Sequence, residues 1–150
     1  MAIVRLDEIL KLMIDWEKKL NDFYSRIHDQ LKNERSKKMV DVLKTEQAKA
    51  VYALEKLDLK EYKNSEFTKY APDWRNEDVI PRVDISVQAT PAEILDCVLG
   101  YEEKLEDYYK SIRGLLVYAK DKEVLDLLIQ FKLNQIKRIK GYMDTYDLVF

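Results

Sequence analysis

Glu17 stands in the stretch WEKKLNDFYSRI, within a series of apolar residues at positions 6, 10, 13, 20, 24, 27 and 31. The series alternates steps of three and four, the spacing of a helix face turned toward a core. Position 17 is the gap in it. An ionised carboxylate on that face must be paired, bound to a metal, or held in its neutral form. Laying Glu8 on Glu93, with the rest of the chain in step, sets WEKKLNDFYSRI on YEEKLEDYYKSI. The ungapped match of Glu8–Leu43 with Glu93–Leu128 gives 13 identities in 36 pairs, against about two expected from typical residue usage. The second series, Leu95, Val98, Leu105, Tyr109, Ile112 and Leu116, has its gap at Glu102. Two carboxylates at corresponding positions of two inward faces make a site on the axis of a helical bundle. Hard oxygen ligands of this kind suit iron or manganese.

The elements that must position these residues are helices. Three glycines and three prolines in 150 residues leave few turns. The spacing predicts a first helix over about 6–32 and a second over about 37–59, with Asn33 or Ser36 as N-cap of the second. The stretch TPAE predicts the start of a third helix: Thr90 as N-cap, Pro91 at the first helical position and Glu93 able to close a capping box. That helix should reach about 118. Asp121 is expected to cap a fourth, over about 122–146. The connection over about 60–90 is too long for a tight turn and can carry the chain to the far end of a bundle. Alternation of Val83, Ile85 and Val87 hints at a short extended piece within it. The expected fold is all-α: one domain over 1–150, a four-helix bundle of two repeated hairpins (about 6–59 and 91–146) joined by a crossover.

WEKKLNDFY and YEEKLEDYY, each a glutamate followed at the seventh position by a tyrosine, carry a resemblance. With the hairpin spacing, the crossover and the internal duplication, the chain resembles the rubrerythrin-type branch of the ferritin-like superfamily, over all four helices. The resemblance implies two irons in the bundle, serving peroxidase, oxidase or iron-storage chemistry. It implies ligands at Glu17 and Glu102, and at the helix 2 glutamate that follows the first at the family's spacing, which is Glu46. The histidine expected with it falls on Lys49. The same step in the second repeat falls on Phe131, with Asn134 in place of histidine. Three ligand positions remain and three are lost. His28 lies roughly 16 Å along the helix axis from Glu17, too far to substitute. Lys49 would set an ammonium beside Glu17, Glu46 and Glu102 in place of metal charge. A second helix rotated by one residue would instead turn Gln47 and Ala50 inward.

Two readings follow. One is a non-catalytic protein with a degenerate two-metal site, no cofactor, and a binding or structural role. The other is a redox protein holding iron or manganese on Glu17, Glu46 and Glu102. A third reading makes the vacated centre a small-molecule pocket. Tyr24 and Tyr109 are expected to fill the core with their hydroxyls on polar partners, and Cys97 to serve as a small apolar residue. The basic residues Lys132, Lys137, Arg138 and Lys140 read as a solvated face near a helix C-terminus. Charged residues make up 36% of the chain with a net charge of -2, and that balance speaks against nucleic acid, which calls for a basic excess. No apolar run approaches the length needed to span a bilayer, and the first residues lack a signal pattern, so a cytoplasmic protein is expected. A homodimer is expected, with Trp74, Val79, Ile80, Val83, Ile85 and Val87 of the crossover either packing on their own bundle or meeting a second copy.

Overall fold

The computed structural model describes residues 2–69 and 85–149. Over these residues the chain is an all-α bundle of four helices: α1 (Leu6–Gln30), α2 (Glu34–Glu55), α3 (Pro91–Arg113) and α4 (Ala119–Val149). α1 packs against α2 and α3 against α4, as two antiparallel hairpins. The apolar series of α1 and α3 account for this. Leu6, Leu10, Met13, Leu20, Tyr24 and Ile27 are buried, as are Leu95, Val98, Leu105, Tyr109 and Ile112. Trp16 widens the α1 stripe and meets Tyr108 of α3 edge to face, ring centroids 4.9 Å apart.

Local signals set the helix starts. Asn33 caps α2 by accepting from Ser36 N at 3.1 Å, and Thr90 caps α3 by accepting from Glu93 N at 3.3 Å. Asp121 is not a cap. α4 begins earlier, at Ala119, and the buried Asp121 accepts from Ser65 Oγ at 3.0 Å.

A two-stranded antiparallel ribbon, β1 (Ala2–Arg5) with β2 (Glu66–Lys69), closes one end of the bundle. Leu6 N donates to Ser65 O beside it. A 3-10 turn, Leu59–Tyr62, leads from α2 toward β2. The other end is tied where Lys32 N donates to Val87 O and Ser36 Oγ to Ala89 O. The two ends of the crossover therefore lie at opposite ends of the bundle. The chain goes up in α1, down in α2, down again in α3 and up in α4. α1 and α3 run antiparallel, with Glu17 and Glu102 near the middle of each.

Ile85 is half-buried against the core and Val87 is exposed in a turn, so neither is in a strand. Trp74, Val79, Ile80 and Val83 lie outside the described residues. The pairing of β1 with β2 joins two short segments far apart in sequence, which no local pattern announces.

Candidate functional site

Mid-height in the bundle, Lys132 of α4 lies between the two glutamates. Its Nζ is 2.7 Å from Glu17 Oε1, 2.8 Å from Glu17 Oε2 and 2.7 Å from Glu102 Oε2. Glu17 is 0%, Glu102 1% and Lys132 1% exposed. The α1 and α3 stripes deliver the carboxylates from opposite sides, and α4 delivers the ammonium on a stem long enough to reach the axis.

Neutral groups complete the cluster. Tyr109 donates to Glu17 Oε1 at 2.7 Å. Tyr24 donates to Glu102 Oε1 at 3.5 Å. Each tyrosine thus serves the glutamate of the other repeat. Side chains lean toward the N-terminus of their helix. A tyrosine two turns after its own glutamate therefore leans back toward mid-height, where the neighbouring antiparallel helix presents its carboxylate. Gln47 Nε2 donates to Glu17 Oε2 at 2.6 Å and to Glu17 O at 3.0 Å. Gln135 Nε2 donates in turn to Gln47 Oε1 at 2.8 Å.

The expected positions divide. Glu17 and Glu102 are at the cluster. Glu46 is not: it is half-buried and accepts from Tyr142 at 2.6 Å. Lys49 and Asn134 are exposed, and Phe131 is half-buried against the core. The reason is one of register. The partner of each glutamate lies one position beyond the place that the ligand spacing assigns: Gln47 rather than Glu46 meets Glu17, and Lys132 rather than Phe131 meets Glu102. Of the two rotations open to α2, the one with Gln47 and Ala50 inward is adopted.

Lys132 was expected on a solvated face with Lys137, Arg138 and Lys140. Those three are exposed, but Lys132 is in the core. A signal for it exists. The inward α2 series Val40, Leu43, Gln47, Ala50, Leu54 becomes, at the matching positions of the second repeat, Leu125, Leu128, Lys132, Gln135, Ile139. All of these residues are buried. Lys132 and Gln135 are gaps in an apolar stripe of the same kind as Glu17.

Two carboxylates against one ammonium leave an excess negative charge in a buried site. Burial pushes the Glu102 carboxyl above the usual range; Lys132 pulls it down, Glu17 pushes it up, and the net direction is up. For Lys132, burial lowers the pKa, but Glu102 and Glu17 together outweigh it and raise it. Tyr24 and Tyr109 are held well above the usual phenol range, first by burial and then by the two carboxylates.

These directions fix a pH dependence. Lys132, Tyr24 and Tyr109 keep their protons in the folded state at pH values where the unfolded chain, with pKa values of about 10 and 10.4, has lost them. Their contribution is complete below about pH 10 and is lost as pH rises toward the folded values. Glu102 has the same sign on the acid side: its raised pKa favours the fold below the unfolded value of about 4.3, an advantage lost as pH rises through the folded value. The expected result is a melting temperature that falls steeply above about pH 10, with a shallower fall in Tyr109→Phe. Thermal melts across the neutral and alkaline range measure it, and identical alkaline limbs in both proteins would count against the burial of that hydroxyl on Glu17.

A carboxylate-bridged two-metal centre takes four carboxylates and two imidazoles. The residues present do not fit it. Among the described residues only Glu17 and Glu102 bring carboxylates to the cluster, both are bonded to an ammonium, and Glu46 is turned to Tyr142. His28 pairs with Asp41, Nε2 to Oδ1 at 3.1 Å, away from the cluster. Among the described residues no group of three or more His, Cys, Asp or Glu side chains could hold a metal ion. A small-molecule pocket at the centre fits no better, because the cavity beside the cluster has a volume of about 10 Å³.

Among the described residues no helix is long and apolar enough to cross a membrane. No protein-family model, curated protein or solved structure matches the chain, so what stands established is an all-α four-helix bundle around a buried Glu–Lys–Glu cluster.

Proposed function

We propose that this chain is a ferritin-like protein of the rubrerythrin type whose two-metal centre has been replaced by an internal ion cluster. Its role is then binding or structural rather than catalytic, exercised as a cytoplasmic homodimer. The observation that carries this reading is the Lys132 ammonium, within 2.8 Å of three carboxylate oxygens of Glu17 and Glu102. It supplies at the axis the positive charge that a metal would otherwise bring to these carboxylates. To bind there, a metal must displace the ammonium and leave it buried without a partner, a loss of about 3–5 kcal/mol for a buried pair. The balanced surface charge supports a protein partner or a second copy over nucleic acid.

The test is metal content by mass spectrometry, on full-length protein expressed with iron and manganese supplied and purified without chelator. Far less than one metal per chain is expected, with no visible absorption band after aerobic iron addition. About two metals per chain would overturn the reading in favour of a redox protein. Light scattering during size-exclusion chromatography tests the dimer.

A further inference from the structure

We infer that the bundle holds one water-sized occupant, a water molecule or a monovalent cation, in the cavity beside the ion cluster, seated on Gln135 Oε1 and Glu102. The inference starts from the order of donors. The Glu17 carboxylate only accepts, so Gln47 must present its amide nitrogen, and both contacts of that nitrogen go to Glu17. Gln47 Oε1 then faces Gln135, which must present its own nitrogen. Gln135 Oε1 is left buried with no partner, on a residue 7% exposed. Turning the Gln135 amide over would set two carbonyl oxygens against each other. Turning both amides would set the Gln47 carbonyl against the Glu17 carboxylate. The orphan oxygen is therefore dictated by the charged end of the network.

Gln135 lines a cavity of about 10 Å³ formed by residues of all four helices. A volume of about 10–15 Å³ on this measure is room for one water, provided two to four polar groups receive it. The polar lining consists of Gln135, Glu102, Glu46 and Tyr24, beside Gln47, with Leu43 and Ile139 as the aliphatic wall. It is rich in acceptors. The Gln47 nitrogen is committed to Glu17, and the Tyr24 hydroxyl points to Glu102 at 3.5 Å, the limit of a direct bond. The occupant must therefore offer protons or positive charge to at least two oxygens. Water does so as a neutral molecule. Ammonium, or potassium by coordination, meets the same oxygens as a cation of similar size and offsets the excess negative charge.

The experiment is a crystal structure of the full chain at a resolution that shows ordered water, grown free of ammonium and potassium, with a second crystal soaked in rubidium chloride. A density peak at about 2.8 Å from Gln135 Oε1 and within reach of Glu102 is expected. Rubidium anomalous signal at that peak identifies a cation; a peak without it identifies water. In solution, a cation site gives a saturable rise in melting temperature with ammonium chloride over choline chloride at equal ionic strength. The water site gives equal melting temperatures. An empty cavity, or a protein group bonded to Gln135 Oε1, overturns the inference.

Discussion

Lys132→Met is expected to lower the stability of the fold by about 3–5 kcal/mol, because it leaves two buried carboxylates without their counter-charge. Methionine matches the lysine stem in length, so packing is largely kept and the loss reports the charge. For a chain of this size, that corresponds to a fall in melting temperature of roughly 6–20 °C. The same variant carrying Glu17→Gln and Glu102→Gln should recover a good part of the loss, since the charge to be compensated has been removed. Thermal and urea melts of the three proteins measure it. A single Lys132→Met variant that melts within about 2 °C of the parent, less than the shift a 1 kcal/mol loss produces, would contradict the central place given to this ammonium.

The two glutamates, equivalent in the repeat, should respond differently to the same substitution. Glu17 accepts from three donors, Lys132, Tyr109 and Gln47, spread over both of its oxygens. An amide in its place sets a donor against a donor on one side whichever way it turns. Glu17→Gln should therefore cost about 2–4 kcal/mol, for a weakened charged bond and a buried donor left unpaired. Glu102 accepts from Lys132 on one oxygen and weakly from Tyr24 on the other. Its amide can keep the first bond and donate to the Tyr24 oxygen. The raised pKa of Glu102 also says that this position gains by losing its charge. Glu102→Gln should change stability by less than about 1 kcal/mol, in either direction. Urea midpoints of the two variants decide the matter, and equal losses would count against the inequality of their hydrogen bonding.

The sequence already carried the bundle and half of its centre. The four helices, the Asn33 and Thr90 caps and the crossover that changes ends follow from periodicity and capping chemistry. Glu17 and Glu102 were visible because each interrupts an otherwise apolar stripe. Lys132 was hidden because its helix also carries exposed basic residues, and a long stem lets a lysine whose Cα lies on a packed face be read as solvated. Glu46, Lys49, Phe131 and Asn134 were placed by the ligand spacing that the resemblance implies, while the stripe Val40, Leu43, Ala50, Leu54, Leu57 permitted the other rotation. Packing of apolar volume decided the register, and the polar partners followed it. The β1–β2 ribbon was out of reach because its partners are short and remote.

The sharing of one lysine by two glutamates bears on how the halves find each other. Gln47 and Lys132 occupy the same place in the two repeats, so the hairpins are alike in shape and unlike in charge. Two copies of the first hairpin, docked on one another, would enclose two glutamates with no cation. Two copies of the second would drive two ammonium tips toward one point on the axis. Only the unlike pair produces the observed arrangement. The repeat within one chain thus places an odd number of charges at what would otherwise be a symmetry axis, and that oddness favours the pairing of unlike hairpins over the docking of like ones.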